Sequence, residues 1–408
     1  MGPVGTMSIL AEAMPITALH TGQRTSSALL PAPDPDALAA SRELSERIAS
    51  EIRAAGGWIS FARYMELALY APGLGYYSGG ARKLGRDGDF VTAPEISPLF
   101  GRALARQIAQ VLETTQGEVL ELGAGSGALA MQLLPALDRL GCPPRRYFIL
   151  ELSAQLRERQ RDTLAERAPQ WLEKVAWLES LPDLVNGVVF GNEVLDAVTV
   201  HLAAWRDDGI FERGVALGEA GFVWRERPAA GHLREAATRL PVAAPYVSEV
   251  GLGARALVAT AAQRLARGAL LFIDYGFGRG EYYHPQRAQG TLMCHYRHRA
   301  HDDPFFLPGL QDITAHVDFS AVAGAAREAG CALSGYTTQA QFLLNCGITD
   351  LLAETPADEA ARYLPQAAAV QRLLSPAEMG ELFKAIALTR GIDAPLLGFR
   401  HGDKARLL

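Results

Sequence analysis

Val119-Leu120-Glu121-Leu122-Gly123-Ala124-Gly125-Ser126-Gly127 reads as a buried strand ending in an acid, followed by a tight glycine loop that opens a helix. A doubly wound α/β domain builds the floor of a nucleotide-like ligand site this way, at the carboxyl ends of its strands. Glycine leaves bare backbone against which a ligand can lie. Outward from this stretch the pattern alternates. Strands are predicted at 118–122, 146–151, 175–178, 187–191 and 269–274, with helices at about 127–140, 153–167 and 180–185. Strands alternating with helices argue a mostly parallel sheet.

Between the fourth and fifth strands the rhythm breaks. Val198–Trp205, Phe211–Leu217 and Phe222–Arg225 read as a small antiparallel meander, an insertion over 198–248, and a helix at about 249–267 leads back to the sheet. Residues 276–318 read as a loop carrying His284, His295, His298, His301 and His316, and are expected to form a mobile lid over a partner. A helix at 319–329, a strand near 331–338, helices near 348–373 and a last strand at 383–389 complete the chain. Ahead of the sheet, residues 35–115 predict helices at Pro35–Ala55 and Phe61–Tyr70, a glycine-rich loop, and a helix from Ser97-Pro98 to Thr114. Residues 1–34 lack periodicity and read as a disordered leader without a signal or transit layout.

The 408 residues can bury one large core or two smaller ones. A net charge of −6 gives no electrostatic case for nucleic acid or an anionic membrane. No run approaches the ~20 apolar residues of a membrane span. Four scattered cysteines without a CxxC pair fit a reduced, cytoplasmic protein. The run Cys294-His295-x-x-His298-x-x-His301 has neither a helix-face nor a common zinc spacing, so no metal is expected.

The glycine loop fits two templates. Gly123-x-Gly125-x-x-Ala128 matches a loose dinucleotide fingerprint, and Glu121-x-Gly123-x-Gly125-x-Gly127 matches the S-adenosyl-L-methionine (SAM) loop of Rossmann-like methyltransferases. Glu151, ending the second strand, suits the ribose of either. The acid at 121 would repel a pyrophosphate but can face a sulfonium. Gly191-Asn192-Glu193-x-x-Asp196, after the fourth strand, puts polar groups at the mouth of the sheet. Both features favour SAM over a dinucleotide.

Further motifs run in order along the chain: Phe61–Ser78, Gly88-Asp-Phe-Val-Thr-Ala-Pro-Glu-Ile-Ser-Pro-Leu-Phe-Gly101, Leu120–Gly127, Glu151-Leu-Ser-x-x-Leu-Arg-x-x-Gln160, Gly191–Ala197, Phe272-Ile-Asp-Tyr-Gly276 and Asp312–Phe319. In these the chain resembles the MidA family of SAM-dependent methyltransferases. The resemblance implies an α/β, Rossmann-like class I fold with a seven-stranded sheet whose last strand is antiparallel, and SAM as cofactor. It also implies protein arginine methylation on a subunit such as one of respiratory complex I. Glu121, Gly123, Ala124, Gly125, Gly127, Glu151, Leu152 and Asn192 are expected to bind the cofactor, with Asp89, Phe90, Thr92 and Glu95 folding over it. Glu193 and Asp196, with Asn192 and Asp274, are expected to orient the acceptor. His316 is the histidine expected to matter, and Asp318 is expected to cap a helix. An assembly chaperone that binds SAM with little catalysis, a small-molecule methyltransferase and a homodimer stay open.

Overall fold

The computed structural model describes residues 30–79 and 91–408. Helix α1 (Pro35–Ala54) starts because the Asp34 side chain accepts from the Ala37 amide at 2.8 Å and proline sits in its first turn. Leu44, Ile48 and Ile52, four apart, form its buried stripe. After the two-residue strand β1 (Ile59–Ser60), the Ser60 hydroxyl caps α2 (Phe61–Tyr70). A single turn, α3 (Ala93–Ile96), precedes α4 (Pro98–Thr115), which is capped by Ser97.

The central layer alternates as β2 (Glu118–Leu122), α5 (Ala128–Arg139), β3 (Tyr147–Leu150), α6 (Ala154–Arg167), β4 (Val175–Leu178) and β5 (Val185–Asn192). No helix forms at 180–185, against expectation; β5 begins at Val185. The chain must pass from β4 across β3 and β2 to reach β5. Three strand spacings make ~14 Å. Six helical residues would rise only ~9 Å, so the link is extended.

The meander is β6 (His201–Arg206), β7 (Gly209–Gly218) and β8 (Gly221–Pro228), followed by α7 (Gly231–Thr238). The helix expected from 249 starts later. Tyr246–Val250 is strand β9, buried at all five positions and antiparallel to β6, and α8 (Leu252–Arg264) follows it. The fifth sheet strand, β10 (Leu265–Phe277), overruns its expected bounds at both ends.

The expected lid, too, is structured. After a short helix α9 (Arg279–Tyr282), strands β11 (Met293–Tyr296), β12 (Arg299–His301) and β13 (Asp312–Thr314) form an antiparallel sheet. Arg297 and His298 make the β11–β12 turn at φ 47° and 61°, the left-handed pair of a type I′ hairpin. His295 and His301 are buried within this sheet, on β11 and β12. Among the described residues no group of His, Cys, Asp or Glu could hold a metal ion. Strand β14 (Val317–Asp318), α10 (Phe319–Glu328), β15 (Ala332–Thr338), α11 (Gln339–Asn345), α12 (Ile348–Ala353), α13 (Ala360–Leu374) and β16 (Phe383–Arg390) close the chain.

The main sheet runs β15-β16-β10-β5-β2-β3-β4, and β14 pairs off this path with the end of β10, making eight strands. The last strand, β16, is antiparallel to both neighbours; the other pairings are parallel. Strand alternation divides the core. Val119, Val188, Phe190 and Leu271 pack under α4 and α5, while Leu120, Val189, Leu270 and Phe272 pack under α8 and α10. Among the described residues no helix is long and apolar enough to cross a membrane.

Candidate active site

At the carboxyl ends of β2, β3 and β5 the glycine loop opens a cavity. Gly123, Gly125 and Gly127 hold φ of 60°, 54° and 81°. A Cβ on Gly123 would also stand 3.1 Å from a Val194 methyl group, so both conformation and space favour glycine there. Thr92, Glu95, Glu121, Gly123, Ala124, Gly125, Glu151, Leu152 and Asn192 all line the cavity, and Glu193 joins them. Gly127 does not; it caps the start of α5. Asp89 and Phe90 lie outside the described residues.

Three carboxyls mark the cofactor side. Glu121 is buried and takes the Tyr147 hydroxyl at 2.6 Å. Burial pushes it up to about 7, the Tyr147 hydrogen bond opposes the rise, and Glu151 adds to it. Glu151 accepts from the Ser153 amide at 3.0 Å and the Gln160 amide at 3.2 Å, and burial raises it as well. Glu95 accepts from the Ser126 hydroxyl at 3.0 Å and so joins α3 to the glycine loop.

A carboxyl raised by burial binds its proton more tightly in the folded chain. Stability from Glu121 is full below the unfolded pKa of ~4.3 and is lost as pH rises through about 7. Glu121→Gln is therefore expected to stabilise the ligand-free protein at pH 8 by on the order of 3 kcal/mol and at pH 5 by only about 1 kcal/mol. It should also weaken cofactor binding. Urea titrations at both pH values check this; equal shifts at both would remove the buried charge from the account.

At the other end, Asn192 ends β5 and Glu193 follows it. Glu193 stands at φ 54°, an uncommon conformation for a side-chain-bearing residue and one that costs about 1 kcal/mol or more. Its Oε1 accepts from Asn192 Nδ2 at 2.9 Å and from the Ala93 amide at 3.2 Å. Burial first, then the Asp196 charge, pushes it up to about 8. Asp196 is also buried and raised to about 6, with the Tyr275 hydroxyl opposing the rise.

Asp274 departs from its expected role. It does not line the cavity. Its Oδ2 accepts from the amides of Val194, Leu195 and Asp196 at 3.1, 2.8 and 3.3 Å, and Oδ1 from its neighbour Tyr275 at 2.9 Å. It is a clamp on the turn that carries Glu193. Asp196 is likewise set back from the cavity wall.

Sequence reasoning missed Tyr70, Tyr77 and Ser126, which line the cavity, and Gln160 behind it. The two tyrosines stack at 5.5 Å. Their hydroxyls are tied back, Tyr70 to the Ala197 carbonyl at 2.9 Å and Tyr77 to Asp312 Oδ1 at 2.9 Å. The Tyr-rich Phe61–Ser78 motif was their only signal. His316 stacks on Phe277 at 5.2 Å and stands edge-on to Tyr275 at 5.1 Å. Asp318 caps α10 through the Ala321 amide at 3.0 Å.

The family model of S-adenosyl-L-methionine-dependent methyltransferases matches residues 103–337, more than half of the chain. The protein belongs to the MidA family of SAM-dependent methyltransferases. A crystal structure of a superfamily member from Burkholderia thailandensis, bound to S-adenosylhomocysteine, is 55% identical with a TM-score of 0.90, covering 93% of this chain and 100% of that one. The mitochondrial protein arginine methyltransferase NDUFAF7 of Mus musculus is 30% identical, covering 81% of each chain. That of Danio rerio is 29% identical over 84% of this chain and 86% of its own. Those proteins are mitochondrial by name, which leaves the cytoplasmic expectation for this chain without support.

This MidA-family enzyme therefore uses SAM as its cofactor. The donor set of the cavity fits that group. Asn192 Oδ1 is a buried acceptor with no hydrogen-bond partner among the described residues. The carboxyls of Glu121 and Glu151 border bare loop backbone, a surface suited to a ligand that brings hydroxyl and cationic groups.

Proposed function

We propose that this enzyme transfers methyl groups to an arginine of a protein, with a subunit of respiratory complex I as the first substrate to test. The observation that carries the reading is a pair of carboxyls, half-buried Glu193 and buried Asp196, on one turn at the cavity end away from Glu151. Among the described residues, no lysine or arginine contributes to the charge balance of either carboxyl. Buried acids without a basic partner favour a cationic ligand. The relatives named protein arginine methyltransferases point to the guanidinium as that cation.

SAM supplies the methyl group on a sulfonium. The chain's task is to align the acceptor nitrogen and manage its proton. Glu193 holds the guanidinium and, with the Asp196 charge set behind it, draws the cation's charge away from one nitrogen, which becomes the better nucleophile. Glu193 Oε1 is occupied by Asn192 and Ala93, which leaves Oε2 to take the proton. Tyr70 and Tyr77 form an aromatic wall beside the planar cation. Mass spectrometry of the proteome with and without the gene should show arginine methylation of a complex I subunit that depends on it. An unchanged arginine methylome, with enzyme that still binds S-adenosylhomocysteine, would sink the acceptor assignment.

A further inference from the structure

We propose that Gln160 is a positioning residue of the cofactor site, joining the Glu151 carboxylate, the glycine loop and strand β4 into one unit. Helix α6 faces solvent along most of its length, and only Gln160 and Leu164, four apart, are buried. Gln160 is wholly buried at 0% exposure. A polar side chain sealed in this way must find partners for both its nitrogen and its oxygen.

It does so on three elements. Nε2 donates to the Gly125 carbonyl at 2.9 Å and to Glu151 Oε2 at 3.2 Å. Oε1 accepts from the Trp177 indole at 2.9 Å. An indole N–H can only donate, so Trp177 fixes which way the amide points. The nitrogen must then face the loop carbonyl and the carboxylate. Gly127 lies over the same side chain, its virtual Cβ 3.5 Å from Gln160 Cγ. The loop and the acid that border the cavity are thus held at a fixed separation by one residue that does not line it.

The donated hydrogen bond also favours the charged form of Glu151 against burial. Other groups act on the same carboxyl. Arg157 on α6 and the amides of Leu152 and Ser153 favour its charge, while Glu121 on β2 and Tyr70 on α2 lie within electrostatic range. Removing the Gln160 amide therefore raises the pH at which Glu151 ionises.

The inference rests on the cofactor occupying this cavity. The test is calorimetric titration of the full chain with S-adenosylhomocysteine across pH 5 to 9, which needs no methyl acceptor. Gln160→Met keeps the volume and loses the three hydrogen bonds. It is expected to weaken binding by about tenfold or more, the lower end of the worth of a hydrogen bond to a charged group. The acid limb of its binding should move to higher pH. Gln160→Glu, which sets a second carboxylate against Glu151, should bind more weakly still. A folded Gln160→Met protein with wild-type affinity and an unshifted acid limb would overturn the proposal, as would a loss of stability alone. Leu156→Trp separates the two failures, because it fills the cavity itself. If it abolishes binding while the Gln160 variants bind as wild type, the positioning role alone fails. If it leaves binding intact, the cofactor lies elsewhere and both readings fall.

Discussion

Glu193→Gln is expected to slow methylation by about 10²- to 10⁴-fold, the range contributed by a positioned acid–base group. Binding of S-adenosylhomocysteine should survive. The substitution keeps the shape of the side chain, and the amide oxygen can still accept from Asn192 and Ala93. What it loses is the charge and the site for a proton. Burial and the neighbouring Asp196 push this carboxyl up to about 8, so the empty enzyme holds it protonated at neutral pH. The pH dependence of kcat/KM reports the free enzyme. It should therefore rise with pH through about 8 in the wild type and lose that limb in Glu193→Gln. A variant with nearly full rate and the same limb would remove Glu193 from the chemistry.

Asp274→Ala is expected to cost on the order of 4 kcal/mol of stability and most of the cofactor affinity. The carboxylate accepts from four backbone amides, three of them on the turn after Asn192. An orphaned buried donor costs ~1–3 kcal/mol, and several on one turn will not add fully. The turn would relax, and with it the left-handed backbone that presents Glu193. Asp274→Asn keeps one oxygen to accept from the three turn amides and should lose about half as much. Denaturant unfolding and calorimetry with S-adenosylhomocysteine measure both losses. An unchanged unfolding midpoint for Asp274→Ala would mean that the turn holds its shape without the clamp.

These two acids show how far the sequence could be read. Both stood out as carboxylates at strand ends near the sheet mouth. Their roles separate only in three dimensions. Glu193 sits at the end of β5 and lines the cavity, which its position beside the strand foretold. Asp274 meets amides that lie 78 to 80 residues away in the chain, and no local pattern announces that.

The 276–318 segment went the same way. Its histidines and tyrosines read as a polar loop because the strands are short and the hairpin turn is Arg297-His298, without the Asn-Gly that usually marks a type I′ turn. Pairing Cys294 with His301, and His295 with Asp312, buries both histidines. At Tyr246–Val250 a charged residue, Glu249, disguised a strand. In place it is buried and accepts from Thr291 and Leu292, about 42 residues on.

The antiparallel last strand was implied by the family resemblance, whereas the sequence by itself determined the α/β layer, the glycine loop and its acid, and the meander. Each depends on interactions within a few residues: the period of apolar side chains, caps such as Ser97 and Asp318, and glycines at left-handed positions. Tertiary structure alone decided which carboxyls border the cavity and which clamp backbone. It also brought Tyr70 and Tyr77 to the site and set Gln160 behind the glycine loop. The physical reason is that burial and hydrogen-bond partners fix a polar group's charge and role, and here those partners arrive from distant segments: 127 residues away for Tyr70 and 235 for Tyr77.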